Sequence, residues 1–139
     1  MKLMYANQVE DYKLIAENIY KEISLNQKIV LFLSGPMGAG KTTFCKFLVS
    51  YFGGSGVSSS SFGIINRILA NRCILHCDFY RYQPDDDFVE CEILPLLEDQ
   101  YVLIIEWGNS QKLFIDTVHY NVSIEVKSDL SRIVTFKQL

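Results

Sequence analysis

The chain has 139 residues, 49% of them hydrophobic, and a formal net charge of −3. That length supports one buried core and leaves no room for two, so a single domain over residues 1–139 is expected. Lys and Arg are scattered rather than massed, which removes the electrostatic footprint of a nucleic-acid-binding face. No segment reaches the roughly 18 apolar residues of a membrane span, and residues 1–10 lack a basic-then-apolar leader pattern. The expectation is a cytosolic protein without membrane contact, monomeric on its own.

In chain order, Val9, Tyr12, Ile15, Ile19 and Ile23 recur every three or four residues, predicting an amphipathic helix over residues 8–24 with Asn7 as its N-cap. Residues 28–34 are an apolar run of the kind a doubly covered parallel strand needs. A helix follows over residues 42–52, with Phe44, Phe47, Leu48 and Tyr51 on one face, and ends at Gly53-Gly54. Residues 55–61, rich in Ser and Gly, have no periodicity and read as a loop. Two strand-like segments, residues 62–69 and 73–79, flank a short connection and predict an antiparallel hairpin.

Residues 84–99 open with three aspartates that suit a helix start. Phe88, Cys91, Ile93, Leu94 and Leu97 supply an apolar face, with a kink or break at Pro95. Residues 101–108 form the best buried strand of the chain. Residues 117–126 and 132–139 alternate apolar and polar side chains around residues 128–131, a closing hairpin with one wet face. Cys45, Cys73, Cys77 and Cys91 show no C-x-x-C spacing, and His76 and His119 form no ligand spacing with them, so reduced packing cysteines are expected.

Between the first strand and its helix lies Gly35-Pro36-Met37-Gly38-Ala39-Gly40-Lys41-Thr42, with the spacing G-x-x-x-x-G-K-T. Chance supplies this pattern on the order of a few times in 10⁵ positions. The glycines let backbone N–H groups converge on one spot, and the helix N-terminus adds its positive end there. Such a loop fits a polyphosphate: Lys41 reaches the β- and γ-phosphates, and the Thr42 hydroxyl takes a place on Mg²⁺. The expected fold is α/β, a P-loop-type mixed sheet with parallel core strands, antiparallel additions and flanking helices.

Phosphoryl chemistry on such a loop also needs an acid at a strand end. Asp78 and Glu106 each follow an apolar run and should emerge where ligands sit in open α/β sheets. The bland alternative is a strand-end acid paired with a neighbour such as Arg81. The cluster Asp85, Asp86, Asp87, Glu90 and Glu92 reads instead as a solvated helix face.

Taken together, residues 35–43, residues 57–62, Asp78-Phe79-Tyr80-Arg81 and Glu106-Trp107 occur in an order and spacing that resemble the TsaE family, small bacterial ATPases of tRNA threonylcarbamoyladenosine modification. The resemblance runs from the first helix to the last hairpin. It implies ATP and Mg²⁺ as cofactors, Asp78 as a metal-holding acid, and Glu106 with Trp107 beside the nucleotide and needed for activity. The expected site is therefore Lys41 and Glu106 for catalysis. Gly35, Met37, Gly38, Ala39, Gly40, Lys41, Thr42, Thr43, Ser61 and Trp107 hold the nucleotide, and Thr42, Asp78 and Glu106 the metal. Where the family reads Ser-Pro-Thr-Phe this chain has Ser59-Ser60-Ser61-Phe62, keeping a hydroxyl at Ser61. Gly108 replaces a usual proline, and an acid usual just beyond is absent at Asn109 and Ser110. The resemblance further implies two partners, TsaD and TsaB, with tRNA reached only through them.

Two other readings use the same loop. A small-molecule kinase needs an acceptor site and an arginine-bearing lid, and only Arg67, Arg72, Arg81 and Arg132 follow Thr42. A module that binds ATP without hydrolysing it, to shape a partner interface, also fits. A GTP-driven switch lacks its guanine-reading Asn-Lys-x-Asp element here.

Overall fold

The computed structural model describes residues 1–55, 64–108 and 117–139. The serine-rich loop with Ser59-Ser60-Ser61-Phe62, and Asn109 with Ser110, lie outside the described residues. Seven strands are described: β1 (Lys2–Ala6), β2 (Lys28–Ser34), β3 (Ile65–Ile68), β4 (Cys73–Asp78), β5 (Tyr101–Glu106), β6 (Val118–Val126) and β7 (Arg132–Gln138). They make one sheet in the order β1-β7-β6-β2-β5-β4-β3. The inner strands β6, β2, β5 and β4 are parallel. The outer pairs β3–β4, β6–β7 and β1–β7 are antiparallel. The mixed sheet read from the sequence is thus present, with both hairpins in place.

The unbroken apolar runs follow from covering both faces of the sheet. Successive side chains alternate faces, so Ile29, Leu31 and Leu33 of β2 join a core beneath helices α1 (Asp11–Ile23) and α2 (Lys41–Tyr51). Val30 and Phe32 of the same strand join a second core on the opposite face, with Val89 and Ile93. Every residue of β5 is buried, because that strand lies inside the sheet with both faces covered. Each fully buried Leu or Ile here contributes about 1.5–3 kcal/mol, which makes β2 and β5 the rigid floor of the molecule.

Several local expectations are corrected. Helix α1 begins at Asp11 rather than residue 8, and Val9 is exposed. Asn7 does not cap it: the Asp11 carboxylate reaches back to accept the backbone N–H groups of Asn7 and Gln8. The predicted helix over residues 84–99 is three unlike turns: α3 (Asp86–Phe88), a π-helical turn over Val89–Ile93 and a 3₁₀ turn over Leu94–Leu96. Asp85 caps the first by accepting the Phe88 N–H, and Pro95 lies in the last, where its missing N–H ends α-helical bonding. The segment turns Val89 and Ile93 inward and leaves Cys91 exposed.

Cys45, Cys73 and Cys77 are buried free thiols; burial raises all three, pushing Cys77 up to about 12. The acids of residues 85–92 are all exposed, as a solvated face requires. Helix α2 closes with Gly53 at φ +81°. The Gly54 N–H bonds the Val49 carbonyl and the Gly53 N–H that of Ser50, the paired bonds of a glycine C-cap.

Candidate functional site

Three strands end side by side. Leu33 of β2 is level with Glu106 of β5, and Glu106 with Asp78 of β4. The chain leaves β2 through Gly35 and enters α2 after Gly40, which stands at φ +97°. At Gly40 a Cβ atom would lie 2.7 Å from the Tyr12 ring, and at Gly35 2.8 Å from the Ile124 carbonyl oxygen. The Tyr12 ring cannot yield easily, because its hydroxyl donates to the Ala39 carbonyl at 2.7 Å. Gly40→Ala therefore combines a left-handed backbone penalty of about 1–2 kcal/mol with displacement of the loop. Denaturant unfolding should show at least that loss; an unchanged midpoint would contradict the fit.

Lys41 begins α2 and is nearly buried, its Nζ donating to the Gly35 carbonyl at 2.6 Å. The same Nζ lies 4.0 Å from the centre of the Trp107 ring, and Tyr80 packs on that ring at 5.1 Å between centroids. Burial lowers the Lys41 ammonium from its ordinary value, while the charges of Glu106 and Asp78 act in the opposite direction. Trp107 holds φ +59°, a left-handed conformation uncommon for a bulky residue. At Gly108 a Cβ would come within 2.3 Å of Ile105, so the backbone path just after Trp107 has no space for a larger residue.

The two acids differ in setting. Asp78 is exposed and accepts the Tyr80 N–H at 3.0 Å. Among the described residues it has no ion pair with Arg81. Glu106 is buried, with Oε2 at 2.6 Å from Nε2 of the equally buried His76.

These groups enclose a cavity of about 380 Å³ lined by Met37, Gly38, Gly40, Lys41, Thr42, Asp78, Tyr80, Glu106 and Trp107. A second cavity of about 430 Å³ meets it at Gly40 and is lined by residues including Val9, Tyr12, Ala39, Thr43, Leu130 and Arg132. The volumes suit small ligands. Of the residues expected from sequence, Met37, Gly38, Gly40, Lys41, Thr42, Asp78, Glu106 and Trp107 line the first cavity, while Ala39 and Thr43 line the second. Gly35 meets the site through its carbonyl, and Ser61 lies outside the described residues. Sequence reading missed His76, Tyr12 and Arg132. A histidine inside an apolar strand was the one available signal, since buried polar groups need partners.

Thr42 and Asp78, which line the first cavity, carry a hydroxyl and a carboxylate, hard oxygen ligands that fit Mg²⁺. That ion keeps several waters and binds through one or two carboxylates plus substrate phosphates. Among the described residues no three acids, histidines or cysteines gather as a metal centre by themselves.

The family described as threonylcarbamoyl adenosine biosynthesis protein TsaE matches residues 6–134, nearly the whole chain. The chain belongs to the TsaE family. Curated relatives agree. A Rickettsia conorii tRNA threonylcarbamoyladenosine biosynthesis protein TsaE is 28% identical over 91% of this chain and 73% of its own length. The Haemophilus influenzae protein of the same name is 25% identical, covering 91% and 80%, and that of Mycobacterium tuberculosis 28%, covering 93% and 82%. The crystal structure of Bacillus subtilis YdiB superposes with a TM-score of 0.67 at 24% identity, over 97% of this chain and 83% of that one. It shares the fold. Family membership carries a P-loop fold suited to nucleotides. Among the described residues no helix is long and apolar enough to cross a membrane.

Proposed function

We propose that this TsaE-family chain is a cytoplasmic Mg²⁺-dependent ATPase that serves tRNA threonylcarbamoyladenosine modification by acting on a complex of TsaD and TsaB. The observation that carries the reading is the convergence of Lys41, Thr42, Asp78, Glu106 and Trp107 on one cavity at the strand ends. The triphosphate lies in that cavity along the glycine-rich loop, with Lys41 on the β- and γ-phosphates. The nucleoside extends past Gly40 into the second cavity, where Tyr12, Val9 and Leu130 offer apolar surface. Thr42 and Asp78 would hold Mg²⁺, which would supply neutralisation of the charge that develops on the triphosphate.

Glu106 orients the attacking water. In hydrolysis a bond forms from the water oxygen to the γ-phosphorus as the bond from that phosphorus to the β,γ-bridging oxygen breaks. A proton of the water passes to the Glu106 carboxylate. Lys41 Nζ donates to the Gly35 carbonyl and lies against the Trp107 ring, and among the described residues the cavity has no arginine to add fixed charge at the γ-phosphate, which favours slow turnover by the isolated chain. A kinase reading gains little from the geometry, because no arginine lines the first cavity among the described residues. Arg67 pairs with Glu98, and Arg72 donates to the carbonyls of Ser24 and Asn26.

The cellular role is tested in a bacterium depleted of its own family member. Supplying this chain should restore the threonylcarbamoyladenosine content of tRNA. Failure by a chain that is expressed and folded would contradict the assignment.

A further inference from the structure

The buried polar or charged side chains among the described residues are Lys41, His76 and Glu106, and all three belong to one neighbourhood. Lys41 and Glu106 line the cavity; His76 does not. It sits in β4 two residues before Asp78 and opposite Ile104, so its ring reaches along the sheet toward Glu106 one level above. At 2.6 Å the contact is at the short end for a nitrogen–oxygen hydrogen bond, as a charge-assisted one is. Among the described residues His76 Nδ1 has no hydrogen-bond partner. A proton on Nε2 leaves a bare lone pair there, and orphaned buried acceptors are tolerated more readily than orphaned N–H donors. The histidine is therefore the donor and the carboxylate the acceptor.

Stability alone does not account for this pair. Replacing a buried ionic or strongly polar pair with apolar groups of similar volume is often neutral or stabilising, and the surroundings here, Ile74, Val102 and Ile104, are already apolar. What the bond does supply is orientation. One Glu106 oxygen is fixed by His76, so the carboxylate cannot swing toward Lys41 when the lysine shifts to a phosphate. We propose that His76 is a positioning residue for ATP hydrolysis: it holds Glu106 in the orientation that engages the attacking water and has no contact with the nucleotide itself. The proposal rests on the hydrolytic reading above.

The test is steady-state phosphate release, under whichever partner condition gives wild-type turnover, together with nucleotide affinity by calorimetry. His76→Leu keeps the volume and removes the donor; kcat should fall on the order of 100-fold, the loss typical of a misplaced catalytic group, with ATP affinity unchanged within about threefold. His76→Gln restores a donor near the Nε2 position and should recover about a tenfold share of that loss. Because His76 acts only through Glu106, the double variant His76→Leu with Glu106→Ala should be no slower than Glu106→Ala alone. Normal turnover in His76→Leu would overturn the proposal. So would losses that multiply in the double variant, or failure of both single variants to fold, which would make His76 structural. Absence of phosphate release from the wild type under every condition removes the hydrolytic reading itself, a result distinct from normal turnover in His76→Leu.

Discussion

Lys41→Ala is expected to abolish ATP binding or turnover while leaving the fold intact. The side chain begins α2 at the loop's edge, with its charge 2.6 Å from the Gly35 carbonyl and within the field of the two strand-end acids, Glu106 and Asp78. A hydrogen bond to a charged group contributes roughly 1.5–3 kcal/mol, and the lysine makes more than one to a triphosphate. The substitution also leaves the carboxylates of Asp78 and Glu106 facing incoming phosphates without the lysine charge that offsets them. A loss of affinity of at least a hundredfold follows, since each 1.4 kcal/mol is about tenfold. The hydrophobic packing of α2 rests on Phe44, Cys45, Leu48 and Val49, so circular dichroism should be unchanged. Calorimetric titration decides the matter. Wild-type affinity in a folded Lys41→Ala variant would contradict the site.

The two carboxylates should fail differently, because their settings differ. Asp78 is exposed beside the Thr42 hydroxyl's cavity, so Asp78→Ala should weaken binding in the presence of Mg²⁺ by about tenfold or more, one lost charged ligand being worth roughly 1.5–3 kcal/mol. Without Mg²⁺ its affinity should match wild type. Glu106 is buried and held by His76, a placement for orienting water rather than for gathering solvent-borne ions. Glu106→Ala should leave affinity near wild type and slow turnover by roughly 10²–10⁴, the usual contribution of a positioned acid or base. Titrations with and without Mg²⁺, paired with phosphate release, separate the two. Normal metal dependence and normal turnover in both variants would make the acids structural.

The central strands and the loop were legible because their signals are local. An unbroken apolar run, a fixed glycine spacing and a helical repeat each need only a few neighbouring residues, and β2, α2 and β5 match them. Strand β1 was not read. Its five residues, Lys-Leu-Met-Tyr-Ala, leave Leu3 and Tyr5 exposed, and the strand exists by pairing with β7 at the far end of the chain. No local pattern encodes that partner. The broken helix over residues 84–99 was half read. Pro95 announced its end, but the widened turn at Val89–Ile93 follows from seating Val89 and Ile93 on the sheet, a tertiary demand. The role of His76 is hidden from the sequence for the same reason. Only the parallel register of β4 against β5 brings it to Glu106. The second cavity joins Val9, Gly40 and Arg132, three stretches distant in sequence, and Tyr12 and Arg132 both donate to the Ala39 carbonyl beside it.

In the proposed role the chain alone would turn ATP over slowly, its site completed by its partners. A loose phosphoryl-transfer transition state needs fixed charge around the γ-phosphate, and an arginine supplied by a partner is worth roughly 10³–10⁵ in rate. Within this chain the cavity offers Lys41 as its cation, and no arginine lines it among the described residues. The most direct measurement is phosphate release with Mg²⁺ and ATP, first from the chain alone and then with the TsaD and TsaB complex present. The account predicts slow release alone and a large acceleration by the complex, lost in Lys41→Ala. Fast release by the isolated chain, or no acceleration by a complex that demonstrably binds it, would contradict the account.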